Sequence, residues 1–104
     1  MGFEKIVEKY RVKAVYKYMK GDKIILGVLS ESEDVDLQGL ANSFGADEAI
    51  LIKLDDPSTR YIVLNGILLV SADDEYRKNV ETKILEKVAE KKLENIENVI
   101  DELL

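Results

Sequence analysis

With 104 residues, 46% of them hydrophobic and 35% charged, the chain has the composition of one folded soluble domain and too little length for two cores. It contains no cysteine and no histidine, which removes disulfides, thiol chemistry, the imidazole general base and the usual zinc ligands. Its net charge of −6 disfavours non-specific binding to nucleic acid.

That charge is unevenly spread. Residues 1–29 carry seven basic against three acidic groups, and residues 30–59 carry one against eight. No apolar run has membrane-spanning length, the N-terminus does not read as a signal peptide, and Ile6 stands where a myristoylation motif wants Ser or Thr. The expectation is a cytoplasmic protein. The absence of Cys and Trp, the single Gln and the Lys/Glu-rich helices fit a heat-adapted composition.

Phe3, Ile6, Val7 and Tyr10 recur at helical spacing and predict a short first helix. From Tyr10 the period switches to two: Tyr10, Val12, Ala14, Tyr16 and Tyr18 share one face of a strand over 10–19. Lys20-Gly21-Asp22 turns the chain, and Lys23–Ser30 returns as the second strand of a hairpin. Ser30 with Glu33, or Asp34, is positioned to cap a helix carrying Leu37, Leu40, Ala41 and Phe44, and Gly45 stops it. Ala49–Leu54 reads as a strand, Asp55-Asp56-Pro57-Ser58 as a turn and Arg60–Leu64 as a further strand. Asn65-Gly66 is a strong hairpin signal before the all-apolar run Ile67–Val70. A strand with no polar face is expected to be covered on both sides, so this run is placed at the centre of the sheet. Ser71 with Asp74 then starts a helix over residues 73–104, whose stripe passes through Tyr76, Val80, Ile84 and Val88, then Leu93, Ile96, Ile100 and Leu103. At 1.5 Å per residue it would run to roughly 48 Å, and a break near Leu93–Asn95 is expected.

The predicted fold is therefore a single α+β domain over 1–104. It has element order αββαβββα and a five-stranded antiparallel sheet of order 2-1-5-4-3 with helices on both faces. Strand 49–54 then lies at an edge. A long apolar edge with one Lys and no Pro is a template for pairing, and the expectation is a homodimer joined there, with the 35–44 helices side by side. Its interface would use Leu37, Leu40, Ala41, Phe44, Ala49, Leu51, Ile52 and Lys53.

The layout resembles the roadblock/dynein light-chain family over about residues 3–92. The correspondence lies in Glu4–Val15 as helix into strand, Lys20-Gly21-Asp22 in the first turn and Asp36–Phe44 as the middle helix. It continues through Gly66-Ile67-Leu68-Leu69-Val70 before a polar turn and Tyr76–Ile84 as the core face of the last helix. Two features depart from that layout: the first helix is short, and the tail beyond Lys92 is longer than needed. The resemblance implies a non-enzymatic homodimer that regulates or scaffolds a small Ras-like GTPase or a larger complex. Longin domains, which share the ββαβββα order and often split the final helix, are the alternative.

No glycine spacing matches a phosphate-binding or dinucleotide loop, and no cofactor is expected. The surviving chemical option is a carboxylate cluster for Mg²⁺ or Ca²⁺ built from Glu31, Asp55, Asp56, Asp73 and Asp74. Helix capping and turn formation explain the same residues without a metal. Arg11, Lys13, Lys17, Lys20 and Lys23 form a basic hairpin, but alternation turns Tyr10, Tyr16 and Tyr18 away from Arg11, Lys13 and Lys17. Tyrosines against a core and lysines in water is the favoured reading, with weak nucleic-acid binding behind it.

Overall fold

A computed structural model describes the chain from residue 3 to residue 103, with side chains through residue 89. Phe3–Tyr10 forms α1, as its spacing predicts. The helix closes on Arg11, which takes a left-handed φ of 57°. The Val12 N–H then donates back to the Val7 carbonyl at 3.1 Å, and the Arg11 N–H donates to the Glu8 carbonyl at 3.3 Å. This wrapped end delays the first strand, so β1 is Ala14–Lys20 and does not begin at Tyr10. Gly21-Asp22 links it to β2, Lys23–Leu29, with Gly21 supplying the positive φ of 63°.

Leu37–Phe44 is α2, ended by Gly45 at φ 68° as expected. Its cap is Asp36, whose Oδ1 accepts from the Gly39 N–H at 3.0 Å; neither Ser30 nor Asp34 takes that role. The next strand, β3, covers Glu48–Leu51 and runs parallel to β2. Parallel neighbours need a crossover of a dozen or more residues, and α2 with its flanking loops supplies it.

The largest departure follows. Pro57–Asn65 is a helix, α3, where the sequence reading placed a turn and a strand. Asp56 caps it, accepting from the Ser58 N–H at 3.0 Å, and Pro57 occupies a first-turn position where its missing N–H costs nothing. Gly66 ends it with φ −91° and an N–H donated to the Ile62 carbonyl at 2.7 Å. Asn65-Gly66 is therefore a helix terminus and not a type I′ hairpin. The run Ile67–Ser71 forms β4, antiparallel to β1. Asp73 starts the last helix by accepting from the Tyr76 N–H at 3.0 Å. That helix, α4, spans Asp74–Leu103 as one element of 30 residues, without the expected break near Leu93–Asn95.

The sheet has four strands in the order β3-β2-β1-β4 and is mixed, and the element order is αββαβαβα. The α+β class stands, but the five-stranded antiparallel sheet of order 2-1-5-4-3 does not. Ile67–Val70 lies at an edge and not at the centre. One core joins α1 and α2 to the sheet through Val7, Val12, Val15, Leu26, Val28, Leu40 and Ala41. The other gathers Ala14, Tyr16, Leu29 and Ile62, with Tyr76 and Val80 of α4 packed against them. Burying a side chain such as Leu26 or Leu40 contributes about 1.5–3 kcal/mol.

Candidate functional site

β4 touches the sheet on one side only, through β1. It carries no charge from Ile67 to Ser71. Successive strand side chains point to opposite faces, and both faces are open here: Ile67 is 68% exposed and Leu68 38%. Only Val70 is buried. Leu64 at the end of α3 and Leu85 on α4 extend this apolar surface, at 41% and 58% exposed. The register to β1 shifts between Val15 and Tyr16, leaving Leu69 as an extra residue in β4. Such a bulge increases local twist and limits further pairing.

Beside Leu68 lies a groove of about 350 Å³, lined by Tyr16, Val63, Leu64, Gly66, Arg77, Glu81 and Leu85. One network anchors its polar wall. The Tyr16 hydroxyl donates to Glu81 Oε1 at 2.6 Å, and Arg77 donates to the same oxygen at 2.9 Å. Arg77 Nε also donates to Ser71 Oγ at 3.1 Å. Burial, reinforced by the bond to Glu81, pushes the Tyr16 phenol well above its ordinary pKa. The network ties α4 to β1 and β4 and leaves the apolar rim of the groove open.

Of the residues expected at an edge-to-edge dimer, Ala49 and Leu51 lie on β3, at the other edge of the sheet, and Leu37, Leu40, Ala41 and Phe44 lie on α2. Leu40 and Ala41 are completely buried, and Ala49 is 9% exposed. Leu37, Phe44 and Leu51 pack on the first core, and Ile52 packs on the second. Phe44 is stacked against Phe3, with ring centroids 4.8 Å apart. Lys53 is exposed, with Nζ 3.9 Å from Glu33. Strand 49–54 does contribute an edge, but as the four-residue β3, and its side chains serve the chain's own cores.

The carboxylates divide among local tasks. Asp56 is held below its ordinary pKa chiefly by the Ser58 hydroxyl, and Asp73 chiefly by the Tyr76 backbone N–H. Asp74 is lowered first by Ser71 and then by Arg77. Lys13 sits between Asp73 at 3.4 Å and Glu31 at 3.7 Å. Asp55 is exposed. Among the described residues, no three His, Cys, Asp or Glu side chains are grouped to hold a metal ion.

The basic hairpin is likewise dispersed. Lys13 is engaged at one end of β1, while Lys20 and Lys23 flank the turn at the other. Tyr16 is buried, as the core reading of the tyrosines expects. Tyr18 meets Tyr61 edge-on, with centroids 5.3 Å apart, in a cleft of about 560 Å³ beneath α3. Ile25, Ile50 and Ile62 line that cleft, with Lys20 and Glu48 also on its walls.

In the sequence, the unbroken apolar run points to a strand buried on both faces, which hides its place at an edge. The same composition in a strand with one neighbour is the signature of an association surface. No family model, curated protein or solved structure matches the chain. Among the described residues, no helix is long and apolar enough to cross a membrane.

Proposed function

We propose that the protein is a non-enzymatic interaction module that takes an extended segment of a partner protein onto the open edge of β4. The observation carrying this reading is the exposure of Ile67 and Leu68 on opposite faces of an uncharged edge strand. Natural edge strands are usually blunted by Lys, Pro or a covering element. Ile67–Ser71 has neither residue, and its bulge at Leu69 restrains open-ended pairing. In strand addition, main-chain hydrogen bonds supply affinity and alternate side chains supply selectivity. The groove beside Leu68 has room for one apolar side chain of the incoming segment.

Regulation of a small Ras-like GTPase was implied by a resemblance built on the 2-1-5-4-3 sheet and dimerisation through its third strand. With a four-stranded sheet and β4 outermost, that route to a GTPase partner loses its support. The general role as an interaction module draws on a different surface.

Selection of peptides from a random display library against the immobilised protein tests the proposal. Enriched peptides should be extended and apolar at alternate positions. Ile67→Lys and Leu68→Lys, both at exposed positions, should weaken them about tenfold or more while leaving the melting temperature nearly unchanged. Equal binding to both variants, or no enrichment, would contradict the reading. A dimer abolished by the same substitutions, with no peptide bound, assigns the edge to a second copy instead.

A further inference from the structure

The strand register lays an open row of side chains across the sheet beside α3. Tyr18 of β1 pairs with Ile25 of β2, and Ile25 pairs with Glu48 of β3. Alternation puts Lys20 on the same face as Tyr18, and Ile50 on the same face as Glu48. α3 seats on the sheet at Gly27, where Ile62 leaves no room for a Cβ. The helix body therefore leaves the next row, at Ile25, uncovered, and Tyr61 reaches over it to meet Tyr18. The resulting cleft of about 560 Å³ falls within the range of about 300–1,000 Å³ that small-molecule sites occupy.

Its walls differ in chemistry. Ile25, Ile50 and Ile62 supply an aliphatic floor. The Tyr18 and Tyr61 rings meet edge-on, an arrangement that a further flat ring extends by stacking or edge contact. Lys20 and Glu48 stand at the margin, both exposed. Among the described residues, neither belongs to an ion pair. Their strands are two spacings apart, about 10 Å. The flexible lysine stem lets its ammonium reach a group held beside Glu48.

Those two charges select the occupant. Lys20 attracts an anion that Glu48 repels, and Glu48 attracts a cation that Lys20 repels. A small head bearing both charges satisfies the pair. The adjoining hollow, with Lys20, Asp22, Lys23 and Glu48 on its walls, is balanced between two bases and two acids and favours neither net charge.

We infer that the cleft under α3 binds a free aromatic α-amino acid. Its ring lies on the isoleucine floor against Tyr18 and Tyr61, its carboxylate meets Lys20 and its ammonium meets Glu48. The site is separate from the β4 edge, so the module has a small-molecule ligand in addition to its protein partner.

Titration of the full chain with L-tryptophan, followed by heteronuclear nuclear magnetic resonance, tests this. Saturable shifts should centre on Tyr18, Ile25, Ile50 and Tyr61. Indole-3-propionate, which lacks the ammonium, and tryptamine, which lacks the carboxylate, should each bind about fivefold more weakly. Glu48→Gln should weaken tryptophan by a similar factor and leave indole-3-propionate no weaker. Lys20→Met should do the same for tryptophan against tryptamine. Both substitutions are at exposed positions, and the unliganded spectrum reports whether the fold is kept. L-Leucine should bind more weakly than tryptophan. No saturable shift with tryptophan, or shifts centred on Leu68 and Leu85, would overturn the inference. Glu48→Gln weakening tryptophan and indole-3-propionate alike would overturn the placement of the ammonium. Peptide selection on β4 is a separate readout, so failure here leaves the edge-strand proposal to its own test.

Discussion

Gly27→Ala is the sharpest test of the packing that makes residues 57–65 a helix. A Cβ at Gly27 would stand 2.5 Å from Ile62 Cγ2 and 3.0 Å from Ile52 Cδ1. Carbon atoms rest at about 3.5–4.0 Å, so α3 or the Ile62 side chain must retreat by about 1 Å. Overpacking of this kind costs about 1–3 kcal/mol. Replacing a glycine inside a strand recovers about 0.5–1 kcal/mol of backbone entropy, which leaves a net loss of roughly 0–2.5 kcal/mol. At roughly 4–8 °C per kcal/mol for a domain near this size, thermal denaturation followed by circular dichroism should resolve it. Ile62→Ala alone should cost about 2–5 kcal/mol through the cavity it opens. The double variant should cost at least about 1 kcal/mol less than the sum, because the alanine methyl then occupies space that Ile62 vacated. Additive losses, or a Gly27→Ala protein more stable than wild type, would refute the contact and with it the placement of α3 on β2.

Three further substitutions probe other parts of the account. Arg11→Gly relieves the left-handed backbone that closes α1 and should raise stability by about 1 kcal/mol in urea denaturation; a loss would show that the arginine side chain matters more than its φ. Tyr16→Phe removes the hydroxyl donated to Glu81 and should cost about 1–2 kcal/mol, since Arg77 still holds that carboxylate. The wild type should lose stability as pH rises past about 10, where the unfolded phenol ionises and the raised native one does not, and this alkaline limb should flatten in Tyr16→Phe. An unchanged alkaline limb would disprove the assignment. Asp73 is held low in the fold by the Tyr76 N–H and by Lys13, so its contribution is present above the ordinary carboxylate pKa and lost as pH falls through the lower native value. Asp73→Asn keeps a capping oxygen without the charge and should soften acid unfolding in that window; an identical acid profile would contradict the role given to Asp73.

Local signals were readable where neighbouring residues decide the structure. The spacing of Phe3, Ile6, Val7 and Tyr10, the β1–β2 turn at Gly21 and the stop at Gly45 all stand in the fold. α3 is obscured because Tyr61, Ile62 and Val63 have strand-forming side chains. Their helical setting is fixed by Asp56 and Pro57 at one end and by contact with Gly27, distant in sequence, across the fold. Asp56-Pro57 fits a turn as well as a helix start, so the signal alone does not separate the two. The parallel placement of β3 depends on α2 acting as a crossover, which periodicity does not express. The β4 edge was hidden for a related reason: an apolar strand looks the same whether the chain covers it or another molecule does. Asp56 and Asp73 act as caps in the structure, whereas the sequence points to a turn at Asp56 and to Ser71 with Asp74 for the start of the last helix.

An open side of β4, available to a partner, underlies the proposed function. Residue-resolved amide hydrogen exchange over Ile67–Ser71, in dilute protein and then with a peptide selected on it, tests that claim most directly. Fast and slow amides should alternate in the free protein, because only one side of the strand is paired to β1. The fast set should become slow when the peptide binds. Uniform protection of β4 in the free protein, or fast amides that stay fast in the complex, would contradict it.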